Sequence, residues 1–228
     1  MIVYDASLLS HISESIFEPS SWPDAEAVEG VAAGRGTTLF ITHEDRSWAL
    51  RHYHRGGLVG KFVNDSFLWM GSGRTRPVIE WDLLAQIQDL GLPAPKPVAA
   101  RYLRSGFTYT ADIITERIPK VTPLSRLLLE QSIDDSCWEN VGACIAKFHS
   151  ARICHADLNA HNIQIGSENT VWLLDFDRGQ IMSSNGSWKK RNLDRLHRSL
   201  AKVSQNNSEL FGDQAWKILN AAYAQELR

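Results

Sequence analysis

The chain has 228 residues, of which 43% are hydrophobic and 22% are charged, and its 24 basic and 26 acidic side chains give a formal net charge of −2. This composition is typical of a soluble globular protein with one or two lobes, and it excludes disordered and collagen-like chains. The near-zero charge argues against a general nucleic-acid binder. The sequence has no signal-peptide pattern and no run near the roughly 20 apolar residues of a membrane span, so we expect a protein that is neither secreted nor membrane-spanning.

The chain contains three cysteines, Cys137, Cys144 and Cys154, and none of them forms a C-x-x-C pair with another. An odd number without paired spacing predicts neither a disulfide framework nor a zinc site. A reducing compartment is therefore the default expectation, and Cys154 is interpreted as a buried, unreactive thiol.

The first third of the chain predicts a turn-linked antiparallel sheet. The segments Thr37–Thr42 and Trp48–Tyr53 are rich in the β-branched and aromatic side chains that favour extended structure. Glycines precede the first of these segments, which indicates a turn before it.

A helix is predicted from Pro77 to Leu90, because Pro77 suits the first helical turn and Gly91 suits a helix end. Its expected apolar stripe consists of Ile79, Leu83, Leu84, Ile87 and Leu90. Glu80 lies beside this stripe. A carboxylate near an apolar face costs several kcal/mol unless it is paired, so the sequence predicts a cation beside Glu80.

Two more strands are predicted at Val98–Tyr102 and Tyr109–Ile118, and the proline-flanked segment Pro119–Pro123 is interpreted as a hinge. The chain would then consist of a β-rich lobe, residues 1–118, and a mainly helical lobe, residues 119–228. A helix is predicted at Asp135–Ala151, with an apolar side formed by Trp138, Val141, Ile145 and Phe148.

Basic side chains are concentrated in two stretches. Six lie between Arg46 and Arg76, where Asp65 is the one acid. A second basic cluster, opposed by Asp194, consists of Lys189, Lys190, Arg191, Arg195 and Arg198. Two interpretations stay open from composition: solvated faces, or seats for phosphates or an anionic membrane surface.

The segment His155-Ala-Asp-Leu-Asn-Ala-His-Asn162 carries the chemistry. A predicted hairpin, Ile163–Leu174, follows it and returns the chain to where the segment began. Asp157, Asn162 and Asp175 are therefore expected to converge. Phosphoryl transfer requires such a group, because one carboxylate must orient the attacking hydroxyl while oxygen ligands hold Mg²⁺.

These residues resemble the protein-kinase-like superfamily, whose catalytic loop reads H-R-D-L-x-x-x-N and whose metal motif reads D-F-G. His155, Asp157, Leu158 and Asn162 match the loop, and Asp175-Phe176 match the metal motif, with Asp177 in its third position. The resemblance implies a bilobal α+β fold, with an antiparallel sheet and one helix in the N-terminal lobe and a mainly helical C-terminal lobe. It also implies that ATP binds between the lobes.

The same resemblance implies further site residues. Arg51 occupies the position of the lysine in V-A-I-K, which grips the phosphates and pairs with a helical carboxylate, here Glu80. Arginine at this position departs from the pattern, and Arg55 and Lys61 are alternatives. The glycine turn that covers the phosphates is assigned to Gly34, Arg35 and Gly36. Asp157 is implied as the catalytic residue, and the implied metal ligands are Asn162, Asp175 and Asp177.

The given sequence has 53 residues after Asp175, the difference between 228 and 175, and no A-P-E motif among them, so we expect little room for a protein-substrate platform. The D-x-D of Asp175 and Asp177 resembles that of small-molecule kinases related to the aminoglycoside and choline enzymes. From about Gly30 to Gly179 the chain is also similar to the 3-deoxy-D-manno-octulosonic acid (Kdo) kinases of Gram-negative bacteria. The phrases that carry this likeness are Leu50-Arg-His-Tyr-His-Arg-Gly-Gly57, Gly60-Lys-Phe-Val-Asn-Asp-Ser-Phe-Leu-Trp69, Thr75-Arg-Pro77, Glu80-Trp81, Gly91-Leu-Pro93 and Leu174-Asp-Phe-Asp-Arg-Gly179, together with the catalytic loop.

This resemblance implies ATP- and Mg²⁺-dependent phosphorylation of the 4-hydroxyl of Kdo on a lipid A precursor, during lipopolysaccharide core biosynthesis. It implies peripheral contact with an anionic membrane on the cytoplasmic side of the inner membrane, and no nucleic-acid partner. The aromatic and basic segment Phe67–Arg76 is interpreted either as acceptor-facing surface or as core packing. Two alternatives to the function stay open: a kinase for another small hydroxyl compound, such as an aminoglycoside, and an inert kinase fold that acts as a binding module.

Overall fold

The structure is a computed structural model that describes residues 1–29, 37–54, 65–184 and 186–228. The chain divides into two compact units. Met1–Ala85 and Pro95–Arg117 form the first, here called the sheet unit, and Gln86–Ala94 and Ile118–Arg228 form the second, here called the helical unit. Strands dominate one unit and helices the other, which confirms the expected α+β class.

The strands described in the sheet unit form one antiparallel sheet. They are β1 (Ile2–Tyr4), β2 (Glu26–Glu29), β3 (Thr37–His43), β4 (Arg46–His52), β5 (Phe67–Leu68), β6 (Pro97–Ser105) and β7 (Thr108–Glu116). Their order is β1-β6-β7-β4-β3-β2, and β5 also pairs with β7. The four strands predicted from the sequence correspond to β3, β4, β6 and β7. The strands β1, β2 and β5 were not predicted.

One apolar core cluster of the sheet unit packs against this sheet. Trp48 and Leu50 alternate along β4 with partly exposed residues, as a half-buried strand requires. Ile41 from β3 and Phe17 from the helical turn Glu14–Phe17 pack in the same cluster. Aliphatic and aromatic side chains therefore bind the N-terminal segment to the sheet.

A cluster of charged side chains is buried in the same unit. Arg101 on β6 donates from Nε to Oδ2 of Asp112 on β7 at 2.9 Å, and its Nη1 lies 2.7 Å from Oε1 of Glu18. The other oxygen of Asp112 lies 2.7 Å from Nδ1 of His52 on β4. The hydrogen bond to Asp112 raises the pKa of His52 above its usual value. Arg101 and Asp112 are thus buried in the sheet unit as an ion pair.

Helix α1 (Arg76–Asp89) begins and ends one residue before the predicted helix. Leu83, Leu84 and Ile87 are buried as expected, and Glu80 is buried among them. Ile79 and Leu90, expected on the apolar stripe, are exposed: Ile79 lies at the edge of the buried face and Leu90 follows the helix end. The face that α1 buries is therefore narrower than the hydrophobic pattern suggests.

The helical unit contains the remaining described β-strands and α-helices. They are β8 (Thr122–Pro123), α2 (Leu124–Leu129), α3 (Asp135–Ser150), β9 (Ile153–Cys154), β10 (Ile163–Ile165), β11 (Val171–Leu173), β12 (Gln180–Ile181), α4 (Trp188–Val203) and α5 (Asp213–Glu226). β11, β10 and β8 form one small antiparallel sheet, and β12 pairs with β9. The predicted hairpin is β10–β11, and the predicted helix at Asp135–Ala151 is α3.

Helix α3 is the central helix of this unit. Asp134 caps its N-terminus by accepting a hydrogen bond from the backbone N–H of Cys137 at 2.8 Å. The four apolar side chains predicted for one side of α3 are all buried. At Gly142, helix α5 comes so close that an added Cβ would lie 2.2 Å from the carbonyl oxygen of Leu219. Only glycine permits this approach of the two backbones.

His149, near the end of α3, joins α5 to α4. Its Nδ1 lies 2.8 Å from the hydroxyl of Tyr223 on α5, and its Nε2 lies 3.3 Å from Oδ1 of Asn192 on α4. Because Oδ1 only accepts, Nε2 carries the hydrogen and Nδ1 accepts from Tyr223. Burial lowers the pKa of His149 to about 4, so this buried histidine is neutral.

Candidate functional site

The predicted catalytic loop, residues 155–162, connects β9 to β10. Asn159 and Asn162 each donate a side-chain hydrogen bond to the backbone carbonyl of Asp157, both at 3.0 Å. Oδ1 of Asn159 accepts in turn from the backbone N–H groups of His161 and Asn162, at 2.8 and 3.1 Å. Short amide side chains thus close the turn on itself, which fixes the backbone beneath Asp157.

His155 joins this loop to the segment after β11. Its Nε2 lies 2.8 Å from the carbonyl oxygen of Leu174, and its Nδ1 lies 3.1 Å from the backbone nitrogen of Asp157. A carbonyl accepts and an N–H donates, so these partners assign the hydrogen to Nε2 and a neutral ring. Burial lowers the pKa of His155, in agreement with that assignment. His155 is therefore a structural bridge and not a proton carrier.

The Leu174-Asp-Phe-Asp segment lies against the loop, as the hairpin prediction required. The backbone N–H of Leu174 donates to the carbonyl of Asn162 at 2.8 Å. Phe176 is fully buried, with its ring 4.8 Å from that of His155. Asp175 has φ 63°, a left-handed conformation that costs a non-glycine residue about 1 kcal/mol or more and is common at functional sites. The structure thus brings the backbones of Asp157, Asn162 and Asp175 together.

Asp157 has a charged partner that the motif does not contain. Arg195 on α4 donates from Nε to Oδ1 of Asp157 at 2.8 Å, and its Nη2 contacts the same oxygen. The side chains of Arg195 and Asp157 are 48% and 45% exposed. Arg195 belongs to the second basic cluster of the sequence, but its role could not be read from a position 38 residues away from Asp157.

The predicted Arg51–Glu80 pair is present in the sheet unit. Nη2 of Arg51 on β4 lies 2.6 and 2.7 Å from the two carboxylate oxygens of Glu80 on α1. The hydroxyl of Tyr53 also donates to Glu80, and the guanidinium lies 4.8 Å from the Tyr53 ring centroid. The Glu80 side chain is 3% exposed and that of Arg51 26%. The cation that the sequence required for Glu80 is Arg51, and Tyr53 is an additional donor that the pattern did not reveal.

The remaining predictions for the site differ in outcome. Gly34, Arg35 and Gly36, assigned to the phosphate-covering turn, and the alternatives Arg55 and Lys61 lie outside the described residues. Within the described part of the chain, no group of three or more histidine, cysteine, aspartate or glutamate side chains is arranged to hold a metal ion. The expected ligands are two carboxylates, Asp175 and Asp177, and one amide, Asn162. A set with only two carboxylates is not a group of that kind, so the assignment of these ligands stays a prediction. Cys154 is half-buried and burial raises its pKa, which agrees with an unreactive thiol.

Comparison with known proteins identifies the family. Residues 20–223 match the lipopolysaccharide kinase (Kdo/WaaP) family. The chain belongs to this family. It is 42% identical to the 3-deoxy-D-manno-octulosonic acid kinase of Vibrio parahaemolyticus, over 89% of this chain and 84% of that protein. It is 43% identical to the kinase of the same name from Haemophilus influenzae strain PittGG, over 92% of this chain and 90% of the relative.

A solved structure confirms the fold. WaaP, determined in complex with acyl carrier protein, superposes with a TM-score of 0.59 and covers 89% of this chain and 79% of its own, at 14% sequence identity. This likeness supports the expected protein-kinase-like architecture. Family membership makes the protein a phosphotransferase that uses ATP and acts on a hydroxyl group.

Proposed function

We propose that this kinase transfers the γ-phosphate of ATP to the 4-hydroxyl of Kdo on a lipid A precursor, in lipopolysaccharide core biosynthesis. The observation that carries the proposal is the likeness to kinases named for that sugar acid, at 41% identity over 96% of the chain in the Photobacterium damsela relative. The hydrogen-bonded catalytic loop beneath Asp157 supports it, because a loop fixed in this way is what positioning catalysis requires.

Asp157 is the residue that would orient the acceptor hydroxyl and accept its proton. Its Oδ1 is bonded to Arg195, so Oδ2 is the oxygen left to face the acceptor. Because phosphoryl transfer depends mainly on positioning and electrostatics, the ionised carboxylate needs only to hold the hydroxyl in line with the phosphate. His155 accepts a hydrogen bond from the backbone N–H of Asp157 and so fixes the backbone position from which the Asp157 side chain extends.

In the sheet unit, Arg51 would bind the α and β phosphates of ATP. Nη2 of Arg51 bonds Glu80, and a planar guanidinium is a strong hydrogen-bond donor to phosphate oxygens. Glu80 and Tyr53 hold the guanidinium in place from the buried side. Gly34, Arg35 and Gly36, which lie outside the described residues, are proposed to contact the same phosphates.

Asn162, Asp175 and Asp177 would hold Mg²⁺. Their carboxylate and carboxamide oxygens are the hard ligands that Mg²⁺ prefers. The amide nitrogen of Asn162 donates to the Asp157 carbonyl, which directs its Oδ1 away from that bond. When bound, the ion would neutralise charge on the transferred phosphate. Replacing Asp175 with Asn should weaken the binding of Mn²⁺, followed by electron paramagnetic resonance with ATP present; unchanged Mn²⁺ binding would contradict the ligand assignment.

A membrane-facing surface is proposed at one end of the sheet. Here this end patch is defined as Leu68, Met70, Arg104 and Phe107. Leu68 is 67% exposed, Met70 61% and Phe107 84%. The backbone N–H of Trp69 donates to the Phe107 carbonyl at 2.9 Å, and the Arg104 guanidinium lies 4.7 Å from the Trp69 ring centroid. Apolar tips beside a cation are typical of peripheral contact with anionic lipid.

This patch revises the expectation for the aromatic segment. Leu68 is not core packing, since most of its side chain is exposed. No helix in the described ranges is long and apolar enough to cross a membrane. We propose peripheral contact at the cytoplasmic face of the inner membrane, where ATP is available.

Vesicle binding tests the end patch. The protein should sediment with vesicles containing anionic lipid, and binding should fall when salt is raised from 50 to 500 mM, because screening weakens the cationic contribution. Phe107→Ser should release the protein, whereas Leu129→Ser, at an exposed leucine of α2 in the other unit, should not. Equal vesicle binding by the two variants would show that the end patch does not contact the membrane.

Transfer of labelled γ-phosphate tests the function. Purified protein is given ATP and Mg²⁺ with a Kdo-lipid A precursor, an aminoglycoside or a generic protein as acceptor. Label is expected on the glycolipid, at the 4-hydroxyl of Kdo. Label on the aminoglycoside would support the alternative that the protein is a kinase for another small hydroxyl compound. Absence of ATP turnover would support the alternative of an inert kinase fold that acts as a binding module.

A further inference from the structure

Helix α4 lies along the catalytic loop and fixes the position of Arg195. Three residues before Arg195, the side-chain nitrogen of Asn192 donates to the carbonyl of His155 at 2.8 Å. Four residues after it, Oγ of Ser199 accepts from the backbone N–H of Ala160 at 3.1 Å. Residues at these spacings share one face of a helix. Both contacts reach the loop backbone, so Arg195 stands on a fixed support beside Asp157.

The contact between Arg195 and Asp157 leaves hydrogen-bonding capacity on both side chains. Nε and Nη2 of Arg195 bond one carboxylate oxygen, Oδ1. Among the described residues, no hydrogen bond is made by Nη1 of Arg195 or by Oδ2 of Asp157. An acceptor oxygen and a cationic edge therefore lie side by side, both about half-exposed to solvent.

We propose that Arg195 binds the carboxylate of the acceptor sugar while Asp157 binds its reacting hydroxyl. This inference rests on the proposed function and deepens it. An octulosonic acid is a carboxylic acid as well as a polyol, so one sugar ring offers an anion and a hydroxyl a few ångströms apart. The planar guanidinium suits a carboxylate, which it binds through two parallel hydrogen bonds. Arg195 thereby selects sugar acids over neutral sugars.

The position of Arg195 favours the acceptor over the nucleotide. Its described hydrogen bonds go to the carboxylate that receives the acceptor hydroxyl, and not to the proposed metal ligand Asn162. No step of phosphate transfer is assigned to Arg195. It is a specificity residue whose partner is the acceptor.

The test combines a change in the protein with a change in the acceptor. Wild type and Arg195→Met are each assayed with two acceptors. One is a Kdo-lipid A precursor, and the other is the same precursor with the Kdo carboxylate converted to its methyl ester, which removes the negative charge of that carboxylate. In the wild type, kcat/KM should be about 10- to 100-fold lower for the ester, the range expected for losing a hydrogen bond to a charged group. Arg195→Met should show a similar loss with the acid and little further loss with the ester.

Two further variants serve as controls. Arg198→Met removes an exposed arginine of the same helix for which no bond is described, and it should leave the preference for the acid unchanged. Arg195→Lys keeps the charge without the planar fork and should recover part of the preference. Circular dichroism melting of each variant separates a binding effect from a folding defect.

Each other outcome overturns the proposal in a recognisable way. If Arg195→Met lowers kcat equally with acid and ester, the guanidinium acts on Asp157 or on phosphate and not on the acceptor carboxylate. If the wild type uses the ester as well as the acid, the carboxylate is not recognised. If the wild type phosphorylates neither glycolipid, the proposed function itself fails, and the failure shows before any variant is made.

Discussion

The two units hold their polar groups in opposite ways. In the sheet unit, buried groups are ionic: Glu80 is paired with Arg51, and Asp112 lies between Arg101 and His52. In the helical unit, the buried histidines His149 and His155 are neutral, and each bonds an uncharged group. The ion pair at the catalytic loop, Asp157–Arg195, is instead half-exposed. The exposed pair costs little to separate, whereas breaking a buried pair leaves an uncompensated charge.

Replacing Asp157 with Asn should give the largest effect. Loss of the carboxylate proposed to accept the proton is expected to lower kcat about 1,000-fold, near 4 kcal/mol of activation free energy. The free energy of unfolding should change by less than about 1 kcal/mol, because the pair with Arg195 is half-exposed. Labelled-phosphate transfer and urea denaturation measure the two quantities. Retained turnover would refute the role of Asp157.

Replacing Glu80 with Ala should have a large effect on the stability of the sheet unit, in contrast to the small effect expected for Asp157→Asn. It leaves Arg51 and the Tyr53 hydroxyl without their buried acceptor, so we expect a loss of about 2–3 kcal/mol of unfolding free energy. The matched control is Glu130→Ala, which breaks the exposed pair with Arg126 and should cost less than about 0.5 kcal/mol. Equal losses in the two variants would show that burial does not separate these pairs.

Acidification should weaken the helical unit first. The folded pKa of His149 is lowered to about 4 from 6.5, so between those values the unfolded chain binds a proton that the folded chain does not. Its contribution to stability is therefore present above pH 6.5 and falls by up to about 1.4 kcal/mol per pH unit as the pH drops towards 4. Urea denaturation from pH 7 to 5 should show this slope, and His149→Gln should reduce it. An identical slope in the variant would contradict a neutral His149.

Alkalinisation should weaken the sheet unit, by a smaller amount. The pKa of His52 is raised by Asp112, so its contribution is complete below pH 6.5 and is lost as the pH rises through the folded value. In an NMR titration, the ring signal of His52 should shift above pH 6.5, whereas that of His149 should stay in its neutral position. A His52 signal that titrates below pH 6.5 would place it with the histidines of the helical unit.

Local patterns carried much of this structure. The strands at Thr37–His43 and Arg46–His52 and the helix from Arg76 follow from side-chain composition and periodicity. The cost of burying an unpaired charge predicts a cation for Glu80, and the resemblance to V-A-I-K points to Arg51 as that cation. The catalytic loop was recognisable because its spacing is fixed by its own hydrogen bonds. These features depend on residues close in sequence, or on one strong energetic demand.

Features that depend on packing between distant elements could not be predicted in this way. Arg195 meets Asp157 because Asn192 and Ser199 fix helix α4 to the loop, and no short motif records that arrangement. The protonation of His155 became clear only with both of its partners in view. The exposure of Leu68 likewise required the position of β5 beside β7.

The close contact at Gly142 has a consequence for synthesis of the chain. Helix α5 packs closely on α3 at Gly142, and Tyr223 of α5 bonds His149 of α3. His149 in turn bonds Asn192, which donates to the carbonyl of His155. Tyr223 follows the end of the catalytic loop by 61 residues, the difference between positions 223 and 162. At about 5–20 residues per second, a ribosome takes roughly 3 to 12 s to add them. During that interval the newly made loop lacks this chain of contacts. The nascent chain can form these contacts only after residue 223 has been added.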